Sequence, residues 1–389
     1  MRRSYKYRAY INQATAATAE RWLAVCQRLY NNALQQRIIY YKQAKAAAEA
    51  AGESAKPRGL SAYDQYKLLL TGNGEYGNIN KQCLQNVLAR LDQAYRHFFR
   101  RVKEGKEKPG FPRFVKADRY NSFTLRQSGW KLDGGYLEIR NVGRFRLRLH
   151  RPIEGDIKTV TVKREGRHWY IIFSCENVPA KPLPATGQAV GIDLGLTHFI
   201  ADSDGGTIEL PGYMRAAERK LRRKQRKLAR CQRGSNRRKK VKAELARLYR
   251  KLANQRKAFI HNVVADYCQR YDQIAVEGLN IKGMLQNHYL AKSIADAAWR
   301  LFLTRLQDKA EEVCRQVIVV NARGTTQRCS SCGAMVKKTL SVRIHRCKNC
   351  GLVIDRDINA AKNILANVGP AGVKLWQWPD LPAKHAAIG

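Results

Sequence analysis

Four cysteines in this chain have the spacing of metal ligands. Cys329-Ser-Ser-Cys332 and Cys347-Lys-Asn-Cys350 are two C-x2-C knuckles with 14 residues between them, each followed by a glycine, Gly333 and Gly351. A glycine there lets the turn fold back, so that both thiolates of a knuckle reach one tetrahedral ion. Four thiolates leave no open coordination position. The expectation is one Zn2+ ion that holds a ribbon together and takes no part in chemistry. Cys26, Cys83, Cys175, Cys231, Cys268 and Cys314 stand singly in apolar or helical patterns and read as small buried hydrophobes. One clustered set without a paired framework suits a reducing compartment.

A second group of residues carries different chemistry. Asp193 closes the apolar run Ala189-Val-Gly-Ile-Asp, and Glu277 closes Gln273-Ile-Ala-Val-Glu. Asp355-Arg-Asp-Ile-Asn359 supplies a third acidic site just before a helix, which Asn359 is a candidate to cap. One aspartate at a strand end is an ordinary turn or cap residue. Three such sites matter more in a chain with 31 acids against 73 Lys and Arg. Clustered carboxylates repel one another near neutral pH unless divalent cations bind them, and two ions held about 3.5 to 4 Å apart clamp both sides of a phosphodiester. Hard oxygen donors suit Mg2+. The residues alone leave the third ligand open between Asp355 and Asp357.

Elements must bring these groups together. A length of 389 residues with 44% apolar content allows two or three domains with real cores. The net charge of +42 disfavours the compact state unless a polyanion neutralises it. An acidic membrane could also do so, but no apolar stretch reaches the roughly 18 residues of a span. The start Met-Arg-Arg-Ser-Tyr-Lys has no apolar signal region. The expected class is a soluble, cytoplasmic partner of nucleic acid, with no membrane contact. His345, just before Cys347, is then expected at the surface or facing DNA.

The first strand alternates, with Tyr5, Tyr7, Ala9 and Ile11 on one side and Lys6, Arg8 and Tyr10 on the other. Helical spacing follows from about Thr18 through Trp22, Cys26, Leu29, Tyr30 and Ala33, and again from about Asn80 through Leu84, Val87, Leu88, Leu91, Tyr95 and Phe98. The Ala-rich stretch 44–59 reads as a helix terminus and loop. Pro109, Gly110 and Pro112 end the helical part, and short strands follow. In one of them Phe145, Leu147 and Leu149 face a core while Arg144, Arg146, Arg148 and His150 face outward. Runs at 159–162 and 169–175 read as a hairpin around Glu165-Gly166. With the first strand they suggest a small β-barrel carrying a helical insertion. Beyond it, the strands at 189–195 and 197–201 and the turn Asp202-Ser-Asp-Gly-Gly206 read as antiparallel. Residues 215–257 hold 20 Lys and Arg against Glu218 and Glu244. Leu221, Leu228, Leu245, Leu248 and Leu252 give them the thin seam of a helical hairpin. A helix at about 293–315, a strand at 317–320 and a final helix from about Asn359 complete the pattern.

Gly191-Ile-Asp-Leu-Gly195, Ala275-Val-Glu-Gly-Leu279, the cysteine knuckles and Asp355-Arg-Asp-Ile-Asn-Ala-Ala-Lys-Asn-Ile364 resemble, in order, the three RuvC motifs and zinc insertion of the TnpB family. That family comprises transposon-encoded RNA-guided nucleases related to type V CRISPR effectors. Phe111-Pro-Arg-Phe114 and Asn121-Ser-Phe-Thr124 fit the same likeness. It implies a multidomain α+β chain: a β-barrel wedge domain (1–16 and 108–184) with a helical recognition insertion (17–107), then an RNase H-like RuvC domain (185–325 and 353–366) with an inserted four-cysteine zinc ribbon (326–352) and a flexible tail (367–389). It further implies catalysis by Asp193, Glu277 and Asp357, the last chosen because the family's ligand lies two residues before the Asn of the Asp-x-Asn core. These three would hold two Mg2+ ions, and Cys329, Cys332, Cys347 and Cys350 one Zn2+. The implied partners are a guide RNA from the transposon end and double-stranded target DNA; the oligomeric state stays open. Candidate readers of a short motif beside the target are Gln82, Gln85, Asn86 and Thr124. Arg144, Arg146 and Arg148, with Arg222, Arg223 and Arg226 of the basic hairpin, would hold nucleic-acid backbone, and Arg356 would steady a phosphate. A transposase with the same carboxylates and a guide-dependent repressor are the competing readings.

Overall fold

A computed structural model describes residues 1–52, 59–70, 76–105, 108–321, 323–339 and 342–368. The chain divides into two compact units, Met1–Pro179 and Ala180–Gly389. In the first, strand β1 (Arg3–Tyr10) leads into the long helix α1 (Gln13–Ala50), then α2 (Ala62–Leu70) and α3 (Lys81–Lys103). The strands β2 (Ser122–Leu125), β3 (Trp130–Asp133), β4 (Tyr136–Ile139), β5 (Gly143–Arg148), β6 (Asp156–Glu165) and β7 (His168–Glu176) follow. They form a seven-stranded antiparallel sheet in the order β2-β6-β7-β1-β5-β4-β3, with the first strand of the chain near its centre. The hydrogen-bonded order ends at β2 and β3; among the described residues no ladder joins them into the closed barrel expected.

The alternation in β1 and β5 does what its period requires. Tyr5, Tyr7, Phe145 and Leu147 are buried, and Lys6, Arg8, Arg144, Arg146 and Arg148 are exposed. Leu149 is the correction, because it is 43% exposed. The chain leaves the sheet after Arg148, so the pleat no longer sets its side. Helix α1 starts five residues earlier than expected, where the side chain of Asn12 accepts from the N–H of Thr15. It continues through the alanines to Ala50, good helix formers that delay the expected terminus. Residues 53–58 of the expected loop lie outside the described ones.

In the second unit come β8 (Ala189–Asp193), β9 (His198–Asp202), β10 (Thr207–Glu209), α4 (Tyr213–Ala229), α5 (Asn236–Arg270) and β11 (Gln273–Glu277). They are followed by α6 (Ile281–Met284), α7 (Ala291–Ala297), α8 (Trp299–Val313), β12 (Gln316–Val320), β13 (Ile344–Arg346), β14 (Val353–Asp355) and α9 (Arg356–Ala366). The main sheet has the order β10-β9-β8-β11-β12. Its β10, β9 and β8 pair antiparallel, while β8, β11 and β12 run parallel. Parallel strands present their C-terminal ends at one edge, so Asp193 and Glu277 share it. Helix α9 lies against β8 at Gly191, where a Cβ would stand 2.1 Å from the Ala361 carbonyl oxygen and 2.7 Å from the Leu365 nitrogen. Only glycine admits that approach.

Four readings need correction here. The second arm of the basic hairpin does not end near 257: α5 is one helix whose last turns bury Ile260, Val263, Val264, Tyr267 and Cys268. Charge composition changes along it while the backbone hydrogen bonding does not. The single helix expected at 293–315 is two, α7 and α8, separated by Ala298 in the left-handed conformation with φ 54°. Cys314 is exposed at the left-handed end of α8, and Cys231 is half-buried in the turn after α4, so neither is a core hydrophobe. The final helix begins at Arg356, not near Asn359. Of the expected tail, Asn367 and Val368 form the cap and turn that follow α9, and residues 369–389 lie outside the described ones.

Candidate active site

Glu277 at the end of β11 and Asp357 in the first turn of α9 are 8% and 6% exposed, and both face Asp193 at the end of β8 closely enough for their charges to act on it. Burial is the first cause that pushes the Asp193 carboxyl from an ordinary value of 3.8 up to about 8, followed by the Glu277 and Asp357 carboxylates. The Arg356 guanidinium and the Leu194 N–H pull it the other way. Burial also raises Glu277, against a hydrogen bond donated by the Thr325 hydroxyl. Three acids from two strands and a helix are thus held together at a free-energy cost that bound cations would relieve.

Asp355 and Asp357 separate cleanly by geometry. The Asp355 carboxylate caps α9, accepting from the N–H groups of Asp357 at 2.7 Å and Ile358 at 3.2 Å. Asp357 acts on Asp193, with Arg356 Nη2 2.9 Å and Arg343 Nη1 3.8 Å from its own carboxylate. Arg356 therefore lies on Asp357 and also donates to the Val342 carbonyl.

Asn359 is not the cap. It is fully buried, donates to the Arg328 carbonyl at 2.8 Å and accepts from the Ser330 N–H at 2.9 Å. One turn on, Asn363 donates to the carbonyls of Thr325 and Arg328, both at 2.7 Å. These two asparagines fasten the entry of the cysteine segment to α9, and Thr325 in that entry fastens Glu277. The sequence reading missed Asn363 and misassigned Asn359. The available signal was a pair of amides four residues apart on a helix face otherwise made of Ala360, Ala361 and Ile364. Asn363→Ala removes the buried amide that donates to the Thr325 and Arg328 carbonyls, and the expected loss is about 1 to 3 kcal/mol of stability, read by denaturant unfolding. An unchanged midpoint and slope would show that the latch contributes nothing.

The four cysteines converge. All four Sγ atoms lie within 4.8 Å of one another, with Cys329 to Cys350 and Cys332 to Cys347 each at 3.6 Å. Tetrahedral Zn–S bonds of about 2.3 Å require sulfurs about 3.8 Å apart, so the donor set fits a structural zinc ion. Gly333 and Gly351 make the knuckle turns at φ 76° and 77°. Among the described residues this is the one set of His, Cys, Asp or Glu drawn so tightly; the three carboxylates are more widely spaced. His345 corrects another expectation. It is fully buried in β13 against Lys338, not exposed toward DNA, because the strand's alternation turns it inward.

The expected nucleic-acid contacts divide. Thr124 is buried, its hydroxyl 2.8 Å from Arg90 Nη2 and 2.8 Å from Thr161 Oγ1, so it does not stand free to read a base. Gln82 accepts from the N–H groups of Gln127 and Ser128, and Asn86 accepts from Arg90 Nε at 2.9 Å. Gln85 is exposed on α3. Arg144, Arg146 and Arg148 line the outer face of β5, with Arg144 stacked 4.0 Å from the Tyr136 ring centre. Arg222, Arg223 and Arg226 of α4 line a groove of about 1180 Å3, together with Arg215, Arg219 and Arg230.

Three family profiles match the chain: one described as "Probable transposase" over residues 172–288, a Cas12f1-like TNB domain over 299–364 and a helix-turn-helix domain over 1–46. Over that last stretch the structure has β1 and the single helix α1, so the two-helix name does not describe it. A Streptomyces pristinaespiralis protein named "Putative RNA-guided DNA endonuclease" is 30% identical over 383 residues, covering 94% of this chain and 89% of its own. A similarly named Escherichia coli K12 protein, InsQ, is 31% identical over 303 residues, covering 73% and 74%. The cryo-EM structure of a Cas12f1–sgRNA–target DNA complex shares the fold at TM-score 0.58 and 14% identity, over 91% of this chain and 83% of that one. No helix among the described residues is long and apolar enough to cross a membrane.

Proposed function

The chain belongs to the TnpB family of transposon-encoded proteins, and from that premise we propose that it is an RNA-guided DNA endonuclease whose site is Asp193, Glu277 and Asp357. The observation that carries the assignment is the convergence of these acids at one sheet edge, where burial and their mutual repulsion hold Asp193 up at about 8. The mixed five-stranded sheet beneath them supports an RNase H-like reading of 185–325 and 353–366. The curled seven-stranded sheet with its helical insertion takes the place of wedge and recognition domains. The partners are a guide RNA from the transposon end and double-stranded DNA, cut beside a short adjacent motif in the prokaryotic cytoplasm or nucleoid.

Two Mg2+ ions held by these carboxylates would supply activation of the attacking water and neutralisation of charge at the phosphate. Asp193, on which the charges of both Glu277 and Asp357 act, would hold the ions together with them. Glu277 is aimed by Thr325, and Asp357 is aimed by Arg356 and by the Asp355 cap. The zinc ribbon acts as scaffold: its entry fixes Glu277 on one side and α9 on the other. Basic faces on β5 and α4 hold backbone, and base pairing with the guide supplies sequence choice.

Without divalent cations the Asp193 carboxyl keeps its proton near neutral pH. Its folded value lies above the ordinary one, so the stability this adds is fully present below about 3.8 and is lost as pH rises through about 8. Asp193 must then release its proton on taking a cation, and Mg2+ affinity should rise with pH and level off above about 8. Titration calorimetry in two buffers of different ionisation heat reads that proton; equal heats near neutral pH would refute it.

The function is tested by purifying the protein with its flanking DNA present and sequencing the RNA that accompanies it. A discrete RNA ending at the element boundary is expected. Random RNA removed by high salt would leave only electrostatic binding. The matched "Probable transposase" description favours a second reading, in which the same carboxylates cut and join the element's own ends. Excision that requires Asp193, with no guided cleavage, would establish that reading instead.

A further inference from the structure

The end of α3 and the loop after it expose aromatic rings that the proposed active site does not use. Phe99 is 60% exposed, Phe111 46% and Phe114 56%. Phe99 and Phe111 rest on Tyr95, at 6.1 and 5.6 Å between ring centres, and on Phe98, at 5.2 and 5.3 Å. The loop is gripped at both ends. Arg101 donates to the carbonyls of Pro109 and Gly110. Gln27 and Asn31 of α1 donate to the Val115 carbonyl at 2.6 and 3.1 Å, and the Val115 N–H donates to Asn31 Oδ1 at 2.8 Å. Pro112, between the grips, is buried. Large rings left in water are unfavourable, and a slack loop would turn them inward. Here hydrogen bonds hold the loop with its rings outward.

The setting selects what covers them. Among the described residues, Arg96, Arg100, Lys103, Lys108, Arg113 and Lys116 are exposed on the same helix end and loop; Arg96 pairs with Asp92 and Arg100 with Glu104, and Asp118 is a further exposed acid. A second copy of the chain in two-fold pairing would set this cationic patch against itself. A nucleic-acid strand satisfies both features at once, since its phosphates take the cations and its base faces take the rings. We infer that Phe99, Phe111 and Phe114 form a stacking platform for unpaired bases of a single strand of RNA or DNA. The inference rests on the function proposed above only for the nature of the polymer, and it adds a base-contacting surface outside the carboxylate site.

Full-length protein freed of bound nucleic acid is titrated with unstructured RNA and DNA oligonucleotides carrying one 2-aminopurine, at raised salt to suppress backbone attraction. Phe99→Ala with Phe111→Ala should weaken binding about tenfold or more and abolish the fluorescence quench. Phe99→Tyr with Phe111→Tyr should keep both, and Arg222→Ala with Arg226→Ala should weaken binding without altering the quench. The polymer bound more tightly identifies the strand. Affinity and quench unchanged in the alanine pair, or a dimer in sedimentation that the alanine pair dissolves, would overturn the platform. Wild-type protein photocrosslinked to 5-iodouracil strands gives a reading independent of how the variants fold: adducts on Phe99, Phe111 or Phe114 support it, and adducts confined elsewhere refute it. Asp193→Ala should lose cleavage yet keep the quench, which separates failure of the platform from failure of the nuclease reading.

Discussion

Asp193→Ala, Glu277→Ala and Asp357→Ala should each lower guide-directed DNA cleavage by on the order of 10³-fold or more, while the guide RNA stays bound. Each removes one of three acids that the fold holds together against their own repulsion, and with it a share of the cation site. The contrast is Asp355→Ala. That carboxylate is spent on the first N–H groups of α9, so its loss should cost about 1 kcal/mol of helix capping and leave most of the activity. A plasmid linearisation assay on the four variants, with RNA retention measured alongside, ranks the acids. Equal loss from Asp355→Ala and Asp357→Ala would put the third ligand back in question.

Cys347→Ser should release the zinc ion and unfold the ribbon, since structural zinc binding of about 10 to 16 kcal/mol is the folding free energy of such a module. The damage should not stop there. Asn359 and Asn363 bind the backbone of Thr325, Arg328 and Ser330, and the Thr325 hydroxyl binds Glu277, so disorder in the ribbon loosens two of the three carboxylates. Elemental analysis should show one zinc per chain falling to none, proteolysis should open between residues 326 and 352, and cleavage should fall with it. Full zinc content in the variant would refute the assignment of the four cysteines as its ligands. Zinc loss with undiminished cleavage would refute the coupling.

The positions of the acids and cysteines were legible where they coincide with local pattern. An apolar run ending in an acid marks Asp193 and Glu277, and paired knuckles mark the cysteines, because strand period and ligand spacing are short-range properties. Residues whose role depends on a distant partner were not legible. Thr124 looks like a free hydroxyl until Arg90, 34 residues away, is seen to occupy it. Asn359 looks like a cap, and the role of Asn363 goes unread, until the segment from Thr325 to Ser330 folds onto them. The central place of β1 in its sheet is set by pairing with β7, 160 or more residues on, which no window of sequence contains. The break at Ala298 has neither glycine nor proline to announce it. His345 was misplaced because the side it takes is set by the alternation of β13 in its pairing with β14, where it stands opposite Ile354.

The most direct test supplies purified protein and guide RNA with Mg2+ and two plasmids, one matching the guide and one matching a rewritten guide, each flanked by the same adjacent motif. Cleavage should follow the guide from one plasmid to the other and vanish in Asp193→Ala. Cleavage at a site that ignores the guide, or that persists in Asp193→Ala, would contradict an RNA-guided nuclease acting through these three carboxylates.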